Sequence, residues 1–341
     1  MITFIYYNIS TVNMDSIIDL IDKKILTELD RNSRRSNNQI ARKVGISRER
    51  AEYRIKQMVN RGIIRKFPTL INPTKFGYSM YKLYFQFQNI PLDIEKEIIN
   101  WLIANPYVQW VTSCKGRWDM NIIIFAKDVE DFTSKMQEFY TYYSKYIYAQ
   151  QFNITLAVGN MEKHWILGKK DVISKIIYTA NERDDIIRDN IDVKLLNLIA
   201  DNSRIPIITL AQKLRISAQT VKSKIRKLEN AQIIKGYTVS IDYDILKKQF
   251  YKVIFYINVL TNDLKNKLID YCAKRYDMPY FIFSAGEWPF EVEYVVDDLS
   301  EFYEALEDIK RHFPEIQRYE SILLSKEHKF IFTPLEQINI K

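Results

Sequence analysis

"ISAQTVKSKIRKLENAQIIKGYT", residues 216–238, is the stretch that decides how this chain is built. Ile216, Val221, Ile225, Leu228 and Ile233 recur near helical spacing and form one apolar stripe. Around that stripe stand five Lys/Arg residues between Lys222 and Lys235, with Glu229 as the one acid among them. A stretch of the same design, "ISRERAEYRIKQMVNRGIIRKFP", begins 170 residues earlier at Ile46.

Working outward from the pair, residues 21–64 align with 191–234 without a gap, and 15 of 44 positions are identical. The identities include Asn32-Ser33-Arg34 with Asn202-Ser203-Arg204. The same offset pairs Gly116 with Gly286, Trp118 with Trp288, Asp128 with Asp298 and Phe132 with Phe302. One architecture of about 160 residues is therefore used twice. In each copy an apolar-periodic segment is followed by a short helix, which Ser36 opens in the first unit. A third helix, opened by Ser47 or Ser217, comes next. After Gly62 the sequence turns extended, as a hairpin wing would. Three helices, a tight turn before the third, and a wing make a winged helix-turn-helix pattern. The rest of each unit reads strand–helix–strand–strand–helix–strand, the order of a ferredoxin-like split βαβ.

The expected fold class is α+β. Its domains are helix-turn-helix 1 at 15–72, βαββαβ domain 1 at 78–162, a connector at 163–190, helix-turn-helix 2 at 191–242 and βαββαβ domain 2 at 248–333. The apolar start of the connector is expected to pack or to be helical. Residues 1–13 read as a short extra strand or a mis-called start.

Composition narrows the function. Of 341 residues 47% are hydrophobic, enough for real cores. The net charge is +8, but residues 22–66 carry 14 Lys/Arg against 5 Asp/Glu and residues 192–236 carry 9 against 3, so the rest of the chain is net −7. Positive charge confined to two matching segments points to a polyanion. Two cysteines and three histidines, widely separated, make neither a disulfide scaffold nor a metal site. No apolar run reaches the ~18 residues of a membrane span. A cytoplasmic protein without cofactor, metal or catalytic residues is expected.

With Ala51, Ile55 and Met58 turned inward, Glu49, Arg50, Tyr53, Lys56 and Gln57 fall outward, flanked by Arg48 and Arg54. The matching set is Gln219, Thr220, Ser223, Arg226 and Lys227, flanked by Ala218 and Lys224. Arginine can read guanine with two hydrogen bonds and glutamine can read adenine, while lysines, hydroxyls and a helix start suit phosphates. Ser47, Ser217, Lys222 and the wing residues Arg65, Lys66 and Lys235 complete the candidate double-stranded-DNA contacts. Glu49 either accepts from cytosine or pairs with Arg48 and Arg50.

Taken together, "IDKKILTEL…NSRRSNNQIARKVGIS…RIKQMVNRGIIRKF" and "IDVKLLNLI…NSRIPIITLAQKLRIS…VKSKIRKLENAQIIKGYTVSID" resemble the Lrp/AsnC (leucine-responsive regulatory protein/asparagine regulator) transcription factors. The likeness continues through both βαββαβ parts and covers nearly the whole chain, twice over. It implies a DNA-binding regulator with an oligomerisation and effector domain of the RAM type, often for an amino acid. The matching effector positions are Gly116, Arg117, Trp118 and Asp119, and Gly286, Glu287 and Trp288, with Pro289 breaking the pattern where Asp119 stands. A tight turn with a buried tryptophan is the alternative reading of these residues. Arg215 and Gln232 replace the turn residues Gly45 and Gly62. A left-handed backbone there costs a non-glycine residue about 1 kcal/mol, so a slightly remodelled second turn is expected.

Two diverged copies imply an intramolecular pseudo-dimer reading an asymmetric site, with exposed strand edges available for homo-oligomers. The alternatives are a sirohaem-decarboxylase-like enzyme on the same scaffold, which would call on residues such as His164 and His328, and a small-molecule sensor without DNA binding.

Overall fold

The computed structural model describes residues 14–180 and 189–331. The readings of residues 1–13, most of the late connector and the last residues of the second βαββαβ domain lie outside these. The first unit runs α1 (Leu20–Arg31), α2 (Asn37–Val44), α3 (Arg48–Asn60), β1 (Ile64–Lys66), β2 (Thr69–Ile71), β3 (Ser79–Phe87), α4 (Leu92–Ala104), β4 (Val108–Lys115), β5 (Met120–Ala126), α5 (Val129–Tyr143) and β6 (Ile147–Asn160). A 3-10 turn at His164–Leu167 and the strand β7 (Ile177–Ala180) follow. The second unit repeats the order: α6 (Asn190–Ala200), α7 (Ile207–Leu214), α8 (Ala218–Asn230), β8 (Ile234–Tyr237), β9 (Ser240–Ile241), β10 (Gln249–Ile257), α9 (Asn262–Ala273), β11 (Tyr280–Ala285), β12 (Phe290–Val296), α10 (Leu299–His312) and β13 (Ile316–Phe330).

Local sequence explains the helix starts. Asp19 opens α1 by accepting from the Asp22 N–H at 2.9 Å, and Ser36 with Gln39 forms a reciprocal capping box on α2. Ser47 accepts from the Arg50 N–H at 3.2 Å, and Ser217 from the Thr220 N–H at 3.0 Å. The expected remodelling of the second turn is not found. Arg215 (φ 55°) and Gln232 (φ 55°) adopt the left-handed backbone of Gly45 (φ 81°) and Gly62 (φ 74°). The following Ile216 N–H bonds to Ala211 O at 3.1 Å, as Ile46 does to Ala41 O at 3.0 Å. The helix packing requires this turn and overrides the local preference.

The expected hairpin wing is corrected. β1 pairs with β9, and β2 with β8, so each two-stranded wing is built from both units. The chain between the strands of one unit is used to reach the other unit instead of to turn back.

The same exchange closes the sheet. Unit 1 gives the order β4-β5-β3-β6 and unit 2 the order β11-β12-β10-β13, each the split βαβ arrangement. β13 then pairs with β4, and β6 with β11. The last strand of each unit is long because it borders its own first strand and then runs on along the other unit's second. Eight strands therefore form a closed, reciprocal barrel, with β7 added beside the end of β6. α4 and α5 cover the outside of the first half, burying Ile98, Leu102, Met136 and Phe139 against Tyr81, Leu83 and Phe85. Tyr84, Trp110, Trp118, Ile254, Trp288 and Ile322 pack inside. Both sheet edges predicted to be open for further chains are consumed by this pairing, because each meets its counterpart within the chain. The apolar start of the connector does pack: Trp165 and Ile166 are buried against the first helical domain.

Candidate nucleic-acid interface

The two helical domains meet across a pseudo-twofold axis. Ser33 Oγ and Ser203 Oγ, 170 positions apart, lie 2.7 Å from each other. The Arg204 guanidinium donates to Ser33 O at 2.6 Å, Arg35 O at 2.9 Å and Asn37 Oδ1 at 2.6 Å, and Arg34 returns a bond to Ser203 O. The repeated Asn-Ser-Arg triplet, conspicuous in the sequence only as an identity, is therefore the joint between the two heads. Arg34 and Arg204 fall within the two basic segments, yet their guanidinium groups face the other unit. A residue identical in both copies and lying off the apolar stripe was the signal available.

On α3 the side chains of Arg48, Glu49, Arg50, Tyr53 and Lys56 are exposed, and Gln57 is half-buried. On α8 Gln219, Thr220, Lys222, Ser223, Arg226 and Lys227 are exposed. Ala51, Ile55 and Met58, like Val221, Ile225 and Leu228, point into the core. Among the described residues no ion pair joins Glu49 to Arg48 or Arg50.

Other predicted contacts are drawn into the protein itself. Arg54 pairs with Asp19 at 2.7 Å and Asp22 at 2.9 Å. Its counterpart Lys224 pairs with Asp189 at 2.6 Å and Asp192 at 2.9 Å. Burial pushes the Asp19 and Asp189 carboxyls up, but hydrogen bonds from the backbone and from these cations hold both below the usual range. Arg54 and Lys224 thus tie each reading helix to the start of the first helix of its domain. Arg65 spans Asp242, at 2.7 Å, and Glu327, at 2.9 Å, and Lys66 reaches Asp201 at 2.7 Å. All three acids belong to the other unit, so Arg65 and Lys66 tie the first wing strand to that unit. Lys235 is half-buried on β8, and Ser47 and Ser217 use their hydroxyls as caps.

The β-turn residues sit at the barrel's inter-unit seams. Trp118 is 2% exposed and Trp288 0%, so both indoles are buried at these turns. Asn153 of the first unit clamps the second turn, donating to Trp288 O at 2.8 Å and accepting from the Glu287 N–H at 3.2 Å. Gly286 (φ 152°) leaves no room for a Cβ, which would stand 2.1 Å from Asn153 Oδ1. Arg117 pairs with Glu320 across the other seam, where Gly116 lies against Ser321, and Asp119 accepts from the Phe87 N–H at 2.7 Å. His164 is buried beside Glu162, while His328 bonds Ser113 at 2.8 Å. Neither of the two predicted enzyme-like histidines lines the cavity where the wings meet the barrel. Among the described residues there is no cluster of potential metal ligands, and no helix is long and apolar enough to cross a membrane.

A family model described as "Winged helix-turn-helix DNA-binding" matches residues 18–65 and again 188–235. An uncharacterized HTH-type transcriptional regulator of Pyrococcus furiosus is 45% identical over 64 residues, which is 19% of this chain and 43% of that protein. A second, from Pyrococcus horikoshii, is 31% identical over 120 residues, 35% of this chain and 79% of that protein. The HTH-type transcriptional regulator FL11 of Pyrococcus furiosus is 29% identical over 118 residues, 35% of this chain and 77% of that protein. A crystal structure of the siroheme decarboxylase NirDL superposes with a TM-score of 0.60, covering 91% of this chain and 93% of that one at 14% identity. At that identity the likeness is one of fold, in two tandem units.

Proposed function

Because the chain belongs to the Lrp/AsnC family of winged helix-turn-helix transcription regulators, with two copies of the family unit in tandem, we propose that one molecule does what a dimer would do. Its helices α3 and α8 read two unlike half-sites of one double-stranded operator. The observation that carries this reading is the reciprocal joint at Ser33 and Ser203, which fixes two heads with different exposed faces about one axis. Arg48, Glu49 and Arg50 supply two guanidinium forks and an acceptor to one half-site, while Gln219 and Thr220 supply an amide and a hydroxyl to the other. Lys56, Tyr53, Lys222, Ser223, Arg226 and Lys227 serve backbone contacts, and Arg54, Lys224, Arg65 and Lys66 hold the helices and wings in place. Half-sites about 34–36 Å apart, or a multiple, suit such a pair.

A small effector and further association of chains also belong to this reading. With both sheet edges used inside the chain, association would proceed through helix and loop surfaces. A catalytic role on the same scaffold is less well supported, since neither His164 nor His328 lines the cavity where the wings meet the barrel.

The test is DNA binding as a function of salt, combined with selection from random sequence. A non-palindromic site and a log–log slope steeper than about −5, equal to some six phosphates at ~0.9 each, is the expected outcome. A symmetric palindrome refutes the unlike half-sites, and a slope near half that value means that one head binds. No binding at low salt overturns the regulator reading.

A further inference from the structure

Where the wings meet the barrel, the two units line a half-open cavity of about 160 Å³. An engineered core cavity of roughly 150 Å³ holds a benzene molecule, so this space is large enough for a small ring with a substituent. Much of its wall is apolar, with Leu70, Met80, Ile123, Val158 and Ile282 among the lining side chains.

The polar part of the wall divides into two kinds. The inward-facing charges are already matched: Lys252 with Glu293 at 3.0 Å, Lys82 with Glu291 at 2.6 Å, Arg65 with Glu327 at 2.9 Å, and Lys163 with Asp30. Lys326 and Asp244, which also line it, are exposed. What is left unmatched among the buried groups is neutral. Gln109 Oε1 and Thr155 Oγ1 are buried without a hydrogen-bond partner, on residues only 7% exposed. A buried polar atom without a partner costs free energy, so two of them on residues that line one cavity mark a place where a water or a ligand group would complete them. At the buried part of the wall a charged ligand would have to displace an existing ion pair, whereas a neutral one would not.

We propose that this cavity binds a small neutral molecule with an aromatic or aliphatic body and an N–H or O–H group, such as a phenol or an indole. Its donor meets Gln109 Oε1 and its body lies against the apolar wall beside Thr155. The site is separate from the β-turn positions that the family resemblance offers. It exists only because the units are interlocked: Thr155 lies on β6 at the crossing where its register neighbours are Met80 of unit 1 and Ser284 of unit 2. The inference concerns binding alone and does not depend on how the helices treat DNA.

The experiment uses the full chain, with ligand-observed NMR and calorimetry on phenol and indole, and with acetate and methylammonium as charged comparators. Binding of a neutral probe with a dissociation constant on the order of 1 mM or tighter, and none of the ions, is expected. Gln109→Leu and Thr155→Val should each weaken binding about tenfold while leaving Tm unchanged or higher, because they remove an orphaned polar atom and no bond. Ile282→Phe, which fills the space, should abolish it. Failure of both neutral probes to bind, preference for an ion, or binding indifferent to Gln109→Leu and Thr155→Val would overturn the proposal. A lowered Tm in both of those variants would also overturn it, since their polar atoms would then be satisfied within the protein.

Discussion

The two units share a backbone and differ in what they place inside the barrel. Lys82 and Lys252 stand at equivalent positions and are both buried. Facing them, the second unit supplies Glu291 and Glu293, where the first has Asn121 and Ile123. Glu291 lies 2.6 Å from Lys82 and 3.4 Å from Lys252, and accepts from Trp288 Nε1 at 2.7 Å. In the first unit Trp118 Nε1 and Asn121 Oδ1 are buried with no partner. Charge therefore balances only when one unit of each kind closes the barrel. Two first units would bury both lysines without an acid, and two second units would bury four acids around two lysines. The difference teaches that the copies have diverged into complementary halves, with mispairing penalised by unpaired buried charge.

Glu291→Gln breaks this complementarity most directly. It leaves two buried lysines sharing one acid, and a cost of about 3–5 kcal/mol in urea denaturation is expected. A pH signature accompanies it. Burial pushes the Glu291 carboxyl up, but Lys82 and Lys252 outweigh burial and hold it at about 2. A depressed carboxylate contributes stability that is full above its unfolded value near 4.5 and is lost as pH falls towards 2. By linkage the loss of this carboxylate is read on the acid limb. The acid limb of the stability profile should flatten in the variant. A limb of unchanged steepness would show that the barrel carboxylate does not carry it.

The tryptophan pair sharpens the comparison at smaller scale. Trp288→Phe and Trp118→Phe remove similar buried bodies, but only the first breaks a hydrogen bond to a charged acceptor. Trp288→Phe should cost about 1.5–3 kcal/mol more than Trp118→Phe, read from paired thermal or chemical melts. Equal costs would mean that Glu291 finds another donor, and the units would then be energetically alike at this position.

The repeat, the helix caps and the split βαβ order were legible because each rests on local signals: Ser36, Ser47 and Ser217 before apolar-periodic runs, and alternation in strands such as 81–88 and 251–260. What was not legible is which unit a strand or charge would meet. The extended run after Gly62 reads the same whether it folds back or crosses to β9 and β8, since register with a distant partner leaves no local periodicity. Arg54 and Lys224 looked like DNA contacts for the same reason. Their charge is visible in the sequence, but the Asp19–Asp22 and Asp189–Asp192 pairs that neutralise them lie 32–35 positions away. The exposed arginines and amides at the helix starts were foreseeable because helical phase alone turns them outward.

The smallest expected effect concerns the turn before each reading helix. Gly45 and Arg215 share a left-handed backbone, and a Cβ built on Gly45 meets nothing within 4 Å. Gly45→Ala should therefore cost only the conformational term, about 1 kcal/mol. Arg215→Gly relieves that strain but gives the unfolded chain more freedom, so stability should change by less than about 1 kcal/mol. The strain is retained in the second unit where an exposed guanidinium stands just before α8, next to the Ser217 cap. If that guanidinium touches a phosphate, Arg215→Gly lowers the salt slope of DNA binding by about one while the melt hardly moves. A slope that stays put, together with a clear gain in stability, would leave Arg215 as strain without a use and erase this difference between the units.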